Sequence, residues 1–212
     1  MTVPKYRLTY FNWMWIAEPT RFLLSYVGED FEDVRLSYEE WMKDDPKINK
    51  NDFPYGKLPV LEDRENNLKL GQSFAIARYL ARKYNLVGNT IVDAAKCDEY
   101  ADVLKDMLSE VEPMWRADEK QKAEIKAAFL EKTVPRYFSV IETDLKNNGG
   151  KYLVGKTTTW VDFLCAHFTE MFQIYLNTDI LTNYPALKAH QHQVFEISAI
   201  KEWKDKRPVT PY

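Results

Sequence analysis

Three positions in this sequence combine residue type and placement in a way that points to chemistry. Tyr10 closes the segment Tyr6-Arg7-Leu8-Thr9-Tyr10, whose alternation has the period of a strand. A phenol has a pKa of about 10 and keeps its proton at neutral pH, so Tyr10 is a hydrogen-bond donor rather than a base. Placed beside a thiol, whose free pKa is roughly 8.5, a donor favours the nucleophilic thiolate. That bond is charge-assisted and stronger than a neutral one. With 13 tyrosines in the chain, a plain strand aromatic is the alternative. Ser73 precedes an apolar helical run. It reads either as an N-cap contributing about 1 kcal/mol or as part of a carboxylate site, since a helix N-terminus carries free N–H groups and positive dipole. Leu58-Pro59 heads a strand candidate, where proline is tolerated at an edge.

These residues need elements to hold them. Glu18-Pro19 opens a helix with apolar residues at Phe22, Leu23, Tyr26 and Val27, and Gly28 ends it. Phe31 to Leu36, Pro59 to Glu62 and Leu68 to Leu70 are further strand candidates. Arg64 to Asn67 joins the last two as a hairpin. Ser73 to Tyr84 reads as a helix with Ile76, Tyr79 and Leu80 on one face. Beyond residues 85–90 the pattern is helical only. Long helices are expected from Asp93 to about Trp115 and from Lys120 to Lys146, broken at Asn147-Asn148-Gly149-Gly150. Thr159 and Asp162 have the spacing of a capping box before an apolar run to Leu176. Pro185 opens another helix, and a last short one covers Ala199 to Lys204. Two unequal domains follow: 1–84 with mixed α/β character, a linker at 85–90, and an all-helical 91–212.

Composition limits the chemistry. Lys and Arg number 29 against 32 Asp and Glu, a net charge of −3, so there is no electrostatic case for nucleic acid or an anionic membrane surface. Two cysteines, Cys97 and Cys165, and three histidines, with no HExxH, give no metal centre and no disulfide scaffold. No apolar stretch reaches the ~18 residues of a membrane span, and the N-terminus lacks the apolar core of a signal peptide. The expected compartment is the reducing cytoplasm. An aromatic fraction of 14% is ample for a core plus an apolar pocket.

Five segments, in order along nearly the whole chain, resemble the sigma class of cytosolic glutathione transferases, an invertebrate-like member related to glutathione-dependent prostaglandin D synthase. They are Lys5 to Asn12, Pro54 to Leu61, Gln72 to Leu80, Gly155 to Phe163 and Lys206 to Pro208. The resemblance implies a thioredoxin-like N-terminal domain that binds glutathione, an all-α C-terminal domain that binds the electrophile, glutathione as cosubstrate, a role in detoxification and a homodimer. It implies that Tyr10 stabilises the glutathione thiolate. Gln72 and Ser73 would hold the γ-glutamyl carboxylate, and the backbone beside a cis Leu58-Pro59 bond would pair with the cysteinyl residue. Trp41 would donate its indole N–H near the glycyl end. The accompanying cation is one of Lys43, Lys47, Lys50 or Lys57, of which Lys50 is chosen. Asp106, with Asp102 as fallback, would reach across the dimer to the partner's glutathione; a solvated helix acid is the alternative. Phe11, Trp13, Met14 and Trp15 would face Met114 and Trp115 across an aromatic electrophile pocket, with Tyr212 closing over it; core packing is the alternative. Asp162 is read as structural.

Two departures stand out. The segment between Trp41 and Pro54 is longer than the family pattern. Ile16 also occupies a position where some sigma members carry an arginine supporting the thiolate. Conjugation of apolar electrophiles is the leading expectation. A prostaglandin-type isomerase and a non-catalytic ligand carrier or crystallin-like protein are the alternatives.

Overall fold

A computed structural model describes residues 3–43 and 47–210. The chain divides into two compact units, Met1–Asn85 with Ile197–Tyr212, and Leu86–Glu196.

The first unit is built on a four-stranded sheet in the order β2-β1-β3-β4. The strands are β1 (Tyr6–Phe11), β2 (Phe31–Leu36), β3 (Val60–Asp63) and β4 (Leu68–Gly71). β1 and β2 are parallel, so the chain must cross over between them. It does so through α1 (Glu18–Tyr26). β1–β3 and β3–β4 are antiparallel, and the expected hairpin at 64–67 turns through Asn67 in the left-handed conformation, φ 48°. α3 (Ser73–Lys83) packs against α1. Tyr6 and Leu8 of β1, Phe22 to Leu24 of α1, and Ile76 and Leu80 of α3 are buried and form this core. Complete burial of a side chain such as Phe22 contributes about 1.5–3 kcal/mol. A five-residue helix, α2 (Tyr38–Met42), follows β2; the Ser37 hydroxyl caps it by accepting from the Glu40 N–H at 3.3 Å.

The end of the chain differs from the expected boundary. α9 (Ser198–Lys206) groups with the first unit rather than with the helices that precede it. Polar and apolar contacts tie it there: Glu18 of α1, fully buried, accepts from Trp203 Nε1 at 2.8 Å and from Arg207 Nη1 at 2.9 Å, and the Trp203 ring lies 5.4 Å from that of Phe31. The other division point lies between Asn85 and Leu86.

The second unit is helical: α4 (Ile91–Val111), α5 (Glu119–Ala128), α6 (Val134–Asn147), α7 (Trp160–Leu176) and α8 (Pro185–Phe195). The expected helix from Lys120 to Lys146 is broken by a π-turn at Phe129–Thr133. Pro135 sits just beyond it; it has no N–H to donate and its ring clashes with the preceding turn, which forces the ladder to rearrange. α7 packs against α4 and α8 and is buried along most of its length. The expected capping box is present: the Thr159 N–H donates to Asp162 Oδ2 at 2.7 Å. Thr90 and Asp93 cap α4 in the same way. Gly88 beside them has φ +81°, and a Cβ there would lie 2.3 Å from that of Asp93, so only glycine fits. Cys97 and Cys165 are buried and unpaired. Burial pushes both thiols up to about 12, which leaves them inert. No helix among the described residues is long and apolar enough to cross a membrane, and no group of three or more potential metal ligands occurs among them.

The hairpin carries a polar cluster that makes stability depend on pH. Asp63, 1% exposed, accepts from Tyr79 Oη at 2.5 Å, Lys83 Nζ at 2.7 Å and Asn66 Nδ2 at 2.9 Å. Burial alone would raise this carboxyl's pKa; the donors, Lys83 foremost, overcome it and hold the pKa below the usual carboxylate range. A depressed folded-state pKa adds stability above the unfolded value of about 3.9, and that stability drains away as pH falls through the folded value. Asp63→Asn is therefore expected to cost about 1–3 kcal/mol at pH 7 and to flatten the acid limb. Urea midpoints measured from pH 7 down to pH 2 check this: the gap between wild type and variant is constant above about pH 5 and narrows steadily below the unfolded value of about 3.9. Parallel curves would contradict the assignment.

Candidate active site

The strand register brings three of the expected residues of the first unit to one end of the sheet's strands. Thr9 pairs with Val60, and Val60 with Gly71. One residue further along each strand stand Tyr10, Pro59 and Gln72. Tyr10 is the penultimate residue of β1 and is 3% exposed, with its ring 5.2 Å from that of Phe11. The Leu58-Pro59 bond is cis, as the family resemblance implies. Gln72 is exposed and has φ +70°, a left-handed conformation that costs a non-glycine residue on the order of 1–3 kcal/mol and tends to persist at functional sites.

Gln72 also corrects the plain reading of Ser73. α3 begins at Ser73 itself, with Gln72 at the N-cap position and no side chain closing the end. The serine hydroxyl is thus not a cap. The first-turn amides, unable to bond within the helix, are oriented toward any anion at that end.

Trp41, on α2, is 7% exposed and central to an aromatic cluster. Its ring lies 5.8 Å from Phe11 and 5.5 Å from Phe53, edge to face. Lys50, in the Lys50–Asp52 turn, places its Nζ 5.3 Å from the Trp41 ring centroid, a cation–π distance. Trp41 and Lys50, both expected near the glycyl end, thus lie against each other. Lys43 lies 3.9 Å from Glu39, Lys57 is exposed, and Lys47 borders a cavity of about 390 Å³ on the other face of the sheet, beside Arg7, Thr9 and Leu36.

The aromatic residues after β1 are distributed unequally. Trp13 is half-buried and its ring lies 4.6 Å from that of Tyr38. Met14 and Trp15 are buried, and Ile16 is half-buried in the 3₁₀ turn Trp15–Ala17. Four expected residues belong to the second unit. Asp106 is exposed on α4 and its carbonyl accepts from Ser109 Oγ at 2.6 Å. Asp102 is exposed one turn earlier. Met114 is buried, and Trp115, 37% exposed, stacks on Tyr175 at 5.5 Å. Tyr212 lies outside the described residues.

The sequence reading missed a buried ionic group beside Tyr10. Arg21, fully buried on α1, donates to Glu18 at 2.9 Å, to Asp33 at 3.0 Å and to the Trp13 carbonyl at 2.8 Å. Arg35 donates to the other oxygen of Asp33 at 2.8 Å. A signal was available: Glu18 and Arg21 are one helical turn apart, and Asp33 and Arg35 share one face of a strand.

Comparison with known proteins bears on the whole chain. Residues 6–82 match the glutathione S-transferase N-terminal domain and residues 105–207 the glutathione S-transferase C-terminal domain. The chain is 38% identical to the probable glutathione S-transferase 7 of Caenorhabditis elegans, over 98% of each chain. A solved structure of the prostaglandin synthase D of Nilaparvata lugens superimposes with a TM-score of 0.86 at 37% identity, covering 97% of this chain and all of that one. A Nu-class glutathione S-transferase structure from Haemonchus contortus gives 0.83 at 36% identity, over 98% of each chain. With a thioredoxin-like sheet unit, a helical unit and both family domains in register, the chain belongs to the glutathione S-transferase family.

Proposed function

We propose that this protein is a glutathione S-transferase in which Tyr10 holds the glutathione sulfur as a thiolate. The observation that carries the proposal is the alignment of Tyr10, Pro59 and Gln72 across three strands, at the end of the sheet where α3 begins. An extended peptide can pair with the backbone of Leu58, as in strand addition. Its γ-glutamyl carboxylate meets Gln72, Ser73 and the first turn of α3, and its glycyl carboxylate meets Trp41 and Lys50. The sulfur then lies toward Tyr10. The thiol proton goes to solvent, the phenol donates to the resulting anion, a carbon–sulfur bond forms at the electrophile, and the leaving group departs with its electron pair.

Phe11, Trp13, Met14, Trp15, Met114 and Trp115 are assigned to binding the electrophile, whose class is apolar and flat. Residues 1–84 carry glutathione binding, and the helices of 91–212 other than α9, which groups with the first unit, carry electrophile binding. Asp106 reaches the ammonium of the glutathione bound to a second copy, so the working unit is a homodimer. The assigned class is sigma, the compartment the cytoplasm, and the physiological role detoxification. Likeness to the named prostaglandin synthase supports a second reading. There, sulfur bonds to one peroxide oxygen as the O–O bond breaks; the S–O bond then breaks to give a carbonyl as a carbon-bound proton is lost and the other oxygen is protonated, regenerating the thiolate.

Retention on immobilised glutathione followed by conjugation of a chloronitrobenzene tests the first reading. Product analysis with a prostaglandin endoperoxide tests the second. The expected result is retention, specific elution by free glutathione and formation of the thioether. A folded protein that passes through unretained would contradict both and leave the ligand carrier.

A further inference from the structure

The turn that carries Lys50 is stitched together internally. The Asn49 side chain accepts from the Asn51 N–H at 3.1 Å and donates to Asp52 Oδ1 at 3.1 Å. The Asp52 N–H donates to the Asn49 carbonyl at 3.0 Å, and the Phe53 N–H to that of Lys50 at 3.2 Å. Residues 49–53 therefore form one stiff turn, and a link that holds any of them helps to place the Lys50 ammonium.

Dense packing does not hold this turn on the sheet. Asn49, Asp52 and Phe53 line one side of the cavity of about 390 Å³ whose other side is the sheet face of Thr9, Val34 and Glu62. A close-packed interior leaves few voids of this size, so the position of the turn rests on separate links. On the side of α2, Phe53 and Lys50 meet the Trp41 ring. On the side of the sheet the link is Lys69 of β4, whose Nζ donates to the Asp52 carbonyl at 3.0 Å. Glu62, the register partner of Lys69 on β3, lies 3.4 Å from the same ammonium and keeps the stem over that face. Gly71, two residues further along β4, projects to the same face. A Cβ there would lie 3.4 Å from that of Pro54 and 3.8 Å from the Pro54 carbonyl oxygen. β4 thus meets the 49–56 segment at two places. It also runs straight into Gln72 and Ser73, at the opposite end of the glutathione site.

Resting on the transferase reading, we infer that Lys69 is a positioning residue that sets the span between the two carboxylate sites of glutathione, the glycyl site at Lys50 and the γ-glutamyl site at Gln72 and Ser73. The tripeptide carries one carboxylate at each end. Both ends bind at full strength only when the two sites already stand at its length, because a site that must be ordered on binding loses affinity to that ordering. Lys69 ties the Lys50 turn to the strand that ends at Gln72, and so builds the spacing in before the ligand arrives.

The test is the Kd, by calorimetry, of glutathione and of its glycyl monoethyl ester, which lacks the charge at that end, together with kcat at saturating glutathione. Lys69→Met keeps the apolar stem of a half-exposed side chain and removes the donor, so folding is spared. It is expected to weaken glutathione binding about three- to tenfold, the loss of one hydrogen bond at tenfold per 1.4 kcal/mol. Binding of the ester and kcat stay within twofold of wild type. Lys69→Arg, which retains a donor, restores most of the affinity. In a Lys50→Met background the added Lys69→Met costs less than twofold. A purely structural role predicts equal weakening of glutathione and ester, with a lower urea midpoint, and that result overturns the inference. So does undiminished affinity for glutathione in Lys69→Met, or a full additive loss in the double variant. A wild-type protein that binds glutathione and the ester equally overturns the assignment of Lys50 as well, and one that does not bind glutathione overturns the transferase reading itself.

Discussion

Tyr10→Phe is expected to lower kcat/KM for conjugation of a chloronitrobenzene by at least ~10-fold and by as much as ~10²–10³-fold, the range for loss of one donor to a reacting anion. The substitution keeps the ring, which is nearly buried and packs against Phe11, so folding is largely spared and the loss falls on chemistry. The glutathione contacts assigned to Trp41, Lys50, Gln72 and Ser73 remain, so KM for glutathione moves less than kcat. The sign with pH is fixed by the mechanism. Without the phenol the thiol pKa climbs back toward about 8.5, the thiolate fraction at neutral pH falls, and the deficit narrows as pH rises past that value. Initial rates from pH 6 to pH 9 measure this directly. Activity within twofold of wild type across that range would remove Tyr10 from the mechanism.

Asp162→Ala is expected to be the most destabilising single change in the second unit. The carboxylate is 1% exposed. Its Oδ1 accepts from the Leu153 N–H at 2.9 Å and lies 2.8 Å from His190 Nε2. Its Oδ2 accepts from the Thr159 N–H at 2.7 Å and from the Thr159 hydroxyl at 3.0 Å. One side chain thereby joins the 153–159 loop, the start of α7 and α8. Removal leaves buried donors unsatisfied at about 1–3 kcal/mol each, and a total of ~3–5 kcal/mol is a large part of the 5–15 kcal/mol that holds a typical domain together. Asp162→Asn retains an acceptor and is expected to lose roughly half as much. Urea denaturation at pH 7 gives the comparison. A loss below ~1 kcal/mol in the alanine variant would show that the loop finds other partners.

What the sequence discloses depends on how local the governing interaction is. The alternation of Tyr6 to Tyr10, the asparagines between β3 and β4, and the Thr159–Asp162 spacing each act within a few residues, and each is legible. α2 escapes detection because five residues are too few to display a helical period. The π-turn before α6 depends on what Pro135 does to the ladder behind it, which periodicity does not record. The placement of α9 rests on Trp203 and Arg207 meeting Glu18 across more than 180 residues of chain, and no pattern in the sequence connects them. The site shows the same division. Tyr10, Pro59 and Gln72 can each be named in advance, but only the antiparallel register lines them up. The lysines of the 42–53 segment are indistinguishable as letters; Lys50 is set apart by its position over the Trp41 ring. Arg21 and Arg35 are hidden because charged residues are ordinarily solvated, and their burial is a consequence of packing against Asp33.

The proposed mechanism turns on the ionisation of glutathione once bound. The direct measurement is the ultraviolet difference spectrum of the wild-type complex, followed through the thiolate band as pH is raised. The expected apparent thiol pKa is at least one unit below the free value of about 8.5, with the depression reduced in Tyr10→Phe. A bound thiol that titrates where free glutathione does would contradict it.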